Sequence, residues 1–279
     1  MREIKRVQVS QKSSSLLWTI KNNFGHESYL FGTMHVRSQV AHQFLSPLEQ
    51  YVSKADVYAA EMNLAEFDPQ VMQDYTILPE QHNICTLVKP KKWRKLRKSV
   101  LKSFEIDLDM YSRRHPFLIS TIIAESLLTN DEQESLDQAM WAMAERHSVP
   151  CTGLESFQDQ MQIMKQISVD ESVKQILDIG RHPQRFRRNM SKMIDHYVAQ
   201  DITKLYKASR LQLQGLRKKL LFDRNIRMAE RMRNLMAGQT TVFAAVGAAH
   251  LAGKKGMLPL LKKMGCKIYP IKIKDQIET

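Results

Sequence analysis

Two apolar runs at opposite ends of the chain finish in the same way, and this constrains the fold more than any other feature. "YLFGTMHV", residues 29–36, breaks at Gly32 and places His35 three residues on; "TVFAAVGAAHLAGKKG", residues 241–256, does the same with Gly247 and His250. Each run has the length and β-branched or aromatic content of a buried strand. "SLLWTIKN" and "SYLFGTMH" flank "NNFGHE", whose Asn-Phe-Gly suits a turn, so they form a β-hairpin. "DVYAAEM" is a buried strand ending at Glu61, and "SVPCTGLES" a short one stopping at Glu155. The last segment is strand "TVFAAVG", helix "LAGKKGMLPLLKKM" and strand "CKIYPIKI", a unit whose length favours parallel pairing.

Between the strands the apolar positions recur at three and four, as in "FLISTIIAESLL" and "LDQAMWAMAERH". The expected fold class is therefore α/β: a mixed, mainly parallel sheet formed by both chain ends, with a large helical insertion or cap. The helical parts run over about 66–147 and 157–237, and no composition break divides residues 1–279 into two independent domains.

In open α/β sheets ligands gather at the carboxyl ends of the strands. His35, Glu61, Glu155 and His250 fall at such ends and can face one crevice if their strands are parallel neighbours. The glycine before each histidine is expected to let the backbone turn tightly off its strand. Two imidazoles with one or two carboxylates suit a divalent transition metal, and a position left open for water makes such a site catalytic. Arg224 is placed to clamp a substrate carboxylate or to hold Glu155. Asn225 is placed to donate to an oxyanion or to cap a helix, and Asp137 sits in the first turn of a helical run. The other seven histidines show no HExxH or HxH spacing and read as surface or capping residues, His42 being nearest to the first motif.

"LFGTMHV", "AAEMNL", "SLDQAMWAMAERHSVPCTGLESFQDQM", "LFDRNIRMAERM" and "TVFAAVGAAHLAGKKGMLPLLKKMGCKIYPI" resemble, in order and from about residue 16 to 273, the TraB/GumN family, which is related to the Tiki metalloproteases. The resemblance implies a fold similar to erythromycin esterase and the haem-binding ChaN protein. It implies an active site around His35 and His250, with Glu61 as the acidic residue closing the next strand. Asp137, Glu155, Arg224 and Asn225 match recurring polar positions of the family pattern. The implied activity is that of a metal-dependent hydrolase, a Tiki-like peptidase or amidase acting on a peptide or small acyl or amide substrate. A divalent ion (Mn, Co or Zn) would be held by His35 and His250 with Glu61 or Glu155, the remaining carboxylate serving as general base and Arg224 as substrate anchor. The ChaN relationship implies the alternative of haem or iron capture, and a non-catalytic peptide-binding role is a further one. Ala249 stands where the family usually has glycine.

Composition narrows the partners. Lys and Arg number 42 against 29 Asp and Glu, a formal net charge of +13. The excess is concentrated in "KPKKWRKLRKSVLK", residues 89–102, and "RHPQRFRRNMSK", residues 181–192. Solvated helix faces account for such runs, and contact with an anionic membrane surface is the other use of them. No helix-turn-helix signature or aromatic stacking platform points to specific nucleic-acid binding. The three cysteines, Cys85, Cys151 and Cys266, form no CxxC pair. The N-terminal residues lack the apolar core and cleavage site of a signal peptide, so the sequence as it stands reads as cytoplasmic, or as extracytoplasmic if a leader once preceded it.

Overall fold

A computed structural model of the chain describes residues 14–79, 82–128, 132–213, 216 and 218–273. The N-terminal stretch read as lacking a leader lies outside them as far as residue 13. One six-stranded sheet organises the protein. In chain order its strands are β1 (Leu17–Lys21), β2 (Glu27–Thr33), β3 (Val57–Met62), β4 (Cys151–Glu155), β5 (Val242–Gly247) and β6 (Lys267–Ile271). Across the sheet they lie in the order β4-β3-β5-β2-β1-β6.

The predicted hairpin is present, β1 pairing antiparallel with β2. The pairs β2–β5, β5–β3 and β3–β4 are all parallel. β6 pairs antiparallel with β1. Five strands therefore run one way and β1 the other, which is the mixed, mainly parallel α/β sheet expected from both chain ends. One expectation is corrected: β5 and β6 share a direction but are not neighbours, because the β1–β2 hairpin occupies the space between them. A strand–helix–strand spacing sets the direction of return but not which edge is free to receive the strand.

The central strands carry apolar residues on both faces, as parallel strands covered by helices must. β5 buries Val242 through Val246, and β3 buries Tyr58 through Glu61. Helices Leu136–Arg146 and Asp223–Leu235 contribute Met140, Trp141, Met228 and Met232 to the same core. A second apolar core lies away from the sheet. It joins Trp93, Leu96 and Val100 of helix Pro90–Phe104 to Ile119 and Ile123 of helix Pro116–Glu125 and to Ile176 and Ile179 of helix Val169–Arg181. This is the cap. The helix Leu136–Arg146, although inside the 66–147 stretch, packs on the sheet and not in the cap. Along Pro90–Phe104 the apolar stripe is buried, while Lys91, Lys92, Arg94, Lys95, Lys98 and Lys102 are exposed, so this basic run is a solvated face. Among the described residues no helix is long and apolar enough to cross a membrane.

Close approach of β4 to the chain leaving β3 depends on Gly153. A Cβ there would fall on the backbone of Asn63 and on the carbonyl of Glu155, neither of which can swing aside. Gly153→Ala is expected to cost about 2–3 kcal/mol, the upper range for overpacking a core, read as a lower denaturant midpoint. An unchanged midpoint would show that β3 and β4 can separate freely.

Candidate active site

Because β4, β3, β5 and β2 are consecutive parallel neighbours, their carboxyl ends form one row. Glu155 ends β4 and Glu61 is the penultimate residue of β3. His250 follows β5 on the one-turn helix Ala248–His250, and His35 lies two residues after β2. The structure thus brings the four strand-end residues together, with Arg224, Asn225 and Asp137 reaching in from helices.

The two glycines relieve Cβ crowding as expected, most clearly at Gly32, but not by adopting a turn conformation. Neither has positive φ, so neither is a turn residue in the conformational sense. They are packing glycines. A Cβ on Gly32 would lie 2.7 Å from Leu251 Cδ1 and 3.0 Å from Ala248 Cα, so the first motif's glycine makes room for the second motif's turn. A Cβ on Gly247 would lie 3.3 Å from Glu61 Oε2, 3.5 Å from His250 Cδ2 and 3.8 Å from His35 Nε2. The missing methyl of Gly247 therefore leaves a cradle between the carboxylate and both imidazoles.

Arg224 holds the acidic side of this cradle. It donates from Nη2 to Glu61 Oε1 (2.5 Å) and from Nε to Glu155 Oε2 (2.7 Å), its own side chain being only 11% exposed. Glu155 Oε1 accepts from Arg227 Nη2 at 2.8 Å. Both oxygens of Glu155 are thus committed to arginines, and its carboxylate faces them and not the histidines. Glu61 Oε2 accepts the Gly247 N–H at 2.8 Å. Burial opposes the charge on Glu61. The Arg224 guanidinium, the two histidines and the Gly247 N–H outweigh that penalty and hold its carboxyl well below the usual carboxylate range. Arg224 is likewise penalised by burial and, through Glu61 and Glu155, held above its ordinary value.

His250 is set by a chain of hydrogen bonds whose direction can be deduced. The Lys255 carbonyl can only accept, so the Asn225 atom 2.7 Å from it is the donating Nδ2. Asn225 Oδ1 then faces His250 Nδ1 at 2.6 Å, which requires Nδ1 to carry the hydrogen. Burial, with Arg224 and His35 adding to it, pulls the pKa of His250 down to about 4 despite Glu61, so the ring is neutral near pH 7. Its Nε2 is a bare lone pair facing Glu61 Oε2 across 3.7 Å. Two acceptors meet there with no hydrogen between them.

His35 is 61% exposed at its side chain, and its Nδ1 lies 2.7 Å from Asp137 Oδ2. Asp137 accepts from Thr33 Oγ1 through its other oxygen, also at 2.7 Å. The Asp137 carboxylate raises the His35 pKa to about 9; burial opposes this and Glu61 adds to it. Solvent reaches the ring and screens its attraction to Asp137. Asp137 and Asn225 thus play parallel parts, each fixing the Nδ1 side of one imidazole. Among the described residues no group of three or more His, Cys, Asp or Glu side chains is arranged to hold a metal ion.

The pattern of the TraB/PrgY/gumN family matches residues 16–270. The chain belongs to the TraB/PrgY/gumN family. No curated protein and no solved structure matches it.

In this TraB/PrgY/gumN protein the strand ends open into a crevice with two arms. One, about 570 Å³, is lined by His35, Glu61, Asp137, Gln138 and Gln160, with Phe67 at its side. The other, about 360 Å³, runs past His250 against Met190, Met193, Leu205, Leu220 and Leu221. Leu220 and Leu221 belong to a π-helical turn, Lys218–Phe222, that leads into the Arg224 helix; such turns recur at functional sites. Glu125, which sequence reasoning did not single out, lines both arms, and its carboxylate has no hydrogen bond or ion pair among the described residues. The only signal for it was a carboxylate closing the otherwise apolar "FLISTIIAE".

Removing Arg224 would leave Glu61 buried without its guanidinium and Glu155 with a half-exposed partner alone. Arg224→Leu is expected to lose about 3–5 kcal/mol of stability, whereas Arg227→Leu, at a side chain 45% exposed, is expected to lose about 1 kcal/mol or less. Denaturant unfolding of the two variants makes the comparison; equal losses would contradict the ranking.

Proposed function

We propose that this protein is a metal-dependent hydrolase, of the peptidase or amidase kind, whose ion is held by His250, His35 and Glu61. The observation that carries the reading is the acceptor-to-acceptor approach of His250 Nε2 and Glu61 Oε2, beside the cradle left by Gly247. A hydrogen-bonded structural histidine would have a donor facing the carboxylate; a cation site has two lone pairs. The donor set fits borderline divalent ions such as Mn, Co or Zn by type; as the side chains stand they do not form a three-ligand group, so binding would require them to draw together. Each imidazole is also oriented at Nδ1, by Asn225 or Asp137, as metal-ligating histidines commonly are. His35 would have to give up a proton on binding, so cation and proton compete at that ring.

Such an ion supplies Lewis acidity and an activated water. The chain's own groups do the rest. Arg224 keeps Glu61 charged. Asn225 keeps the Nε2 lone pair of His250 turned toward Glu61. Glu125, unpaired and shared by both arms, is the carboxylate free to take a proton from water and return it to a leaving amine. In this reading Glu155 and Arg224 are positioning residues, since their polar atoms are spent on each other and on Glu61. A substrate reaching across the strand ends would place an apolar side chain against Met190 and Met193, and polar groups toward Gln138 and Gln160. Haem capture finds less support: Tyr197, beside the site, gives its hydroxyl to the Gly32 carbonyl at 3.0 Å.

Elemental analysis after loading with Mn, Co or Zn tests the proposal. The expected result is one divalent ion per chain, lost in His35→Ala/His250→Ala. Asn225→Leu is expected to weaken affinity about 10–100-fold, as loss of an orienting partner does. Glu125→Gln is expected to keep the ion while losing cleavage of a peptide library. No ion under any loading, or equal retention by the double variant, would contradict the reading.

A further inference from the structure

A second cavity, of about 600 Å³, lies between helices Val169–Arg181, Pro183–Val198 and Ile202–Leu213. The strand-end residues do not line it. Arg185, Lys192, Lys204 and Lys207 surround it, and Asp178 is its one lining carboxylate. Asp178 is already paired with Arg185 at 2.5 Å, and Lys204 with Asp201 at 3.1 Å. Among the described residues no carboxylate pairs with Lys192 or Lys207. Two unneutralised ammonium groups thus sit on the rim of one concavity, in a chain with ample exposed surface on which to separate them.

The floor is different in kind. Ile179, Phe186, Met190 and Met193 are buried or half-buried apolar side chains that reach the cavity. Phe186 is braced edge-on against Phe104, with ring centroids 6.1 Å apart. A bare phosphate or a purely polar polyanion gains nothing from such a floor, and a neutral hydrocarbon gains nothing from the rim. The volume lies within the ordinary range for small-molecule pockets, and methionine side chains adapt to flexible apolar chains.

We propose that this cavity binds a single-chain amphiphilic anion, its charged head against Lys192 and Lys207 and its apolar chain on the methionine floor. The head is an oxyanion, a carboxylate or a phosphate ester. Met190 and Met193 also line the apolar arm of the crevice, so the ligand would lie on the far side of a shared wall from the strand-end site. The proposal does not rest on the hydrolase reading.

Isothermal titration of the full chain with dodecanoate and with dodecyl phosphate, below their micelle concentrations, tests it. The expected result is one-to-one binding of at least one of the two. The tighter of them assigns the head as carboxylate or phosphate ester. Inorganic phosphate and dodecanol are expected to bind at least tenfold more weakly. Lys192→Glu/Lys207→Glu is expected to lower affinity at least tenfold, and Met193→Trp, which fills the floor, to do the same without altering charge. Lys91→Glu/Lys92→Glu makes the same charge change on the cap's outer face and is expected to leave affinity unchanged. The proposal is overturned if neither amphiphile binds one-to-one, if dodecanol binds equally well, or if Lys192→Glu/Lys207→Glu matches the wild type. Equal damage by the Lys91/Lys92 pair would also overturn it, by showing general charge attraction.

Discussion

Two carboxylates lie at the ends of neighbouring parallel strands inside this protein, and Arg224 is the donor they share. Glu61 is 9% exposed and Glu155 1%. An isolated buried carboxylate neutralises itself by taking a proton, or its strand moves outward. One planar guanidinium, donating from Nη2 to Glu61 and from Nε to Glu155, removes both escapes for Glu61 and ties Glu155 to the same donor. The Arg224 helix is thereby tied to the ends of β3 and β4. The next residue on that helix, Asn225, is fixed where it can reach His250. A single ionic bridge thus couples the acidic half of the strand-end row to the imidazole half.

The imidazole half depends on missing atoms as much as on present ones. Gly32 lets the turn after β5 lie against β2, which brings His250 alongside the segment carrying His35. Gly247 leaves the space toward which Glu61 Oε2, His250 and His35 converge. The recurring Gly-x-x-His at the two chain ends thus serves one region in two ways. Gly32 removes a methyl where the turn after β5 packs against β2, and Gly247 removes one where Glu61, His250 and His35 converge. The TraB/PrgY/gumN family match, over residues 16–270, contains the whole row.

Much of this was legible in the amino-acid sequence, because strand ends announce themselves locally. An apolar run that stops at a charged residue, as at Glu61 and Glu155, marks both the strand and the carboxyl end where ligands gather. The α/β class, the hairpin and the convergence of the chain ends followed from such runs. Facts that belong to pairs of distant residues were not legible. Nothing near Asn225 says that it will meet His250, and nothing near Asp137 says that a carboxylate in the first turn of its helix will reach His35. The separation of β6 from β5 was hidden for the same reason, since edge occupancy depends on the β1–β2 hairpin. Glu125 was hidden because one carboxylate at the end of a helical apolar run looks like any solvated position until the crevice around it is seen.

The central claim is that His250 presents a neutral, Nδ1-protonated ring whose Nε2 lone pair faces Glu61. Long-range nitrogen–proton correlation spectra of ¹⁵N-histidine-labelled protein, stripped of metal at pH 7, test it directly, with Asn225→Leu assigning the resonance. The account predicts a protonated Nδ1 and an unprotonated Nε2 for His250 in the wild type, and loss of that fixed tautomer in Asn225→Leu. A protonated Nε2, or an imidazolium with both nitrogens protonated, would place a hydrogen between His250 and Glu61 and contradict the account.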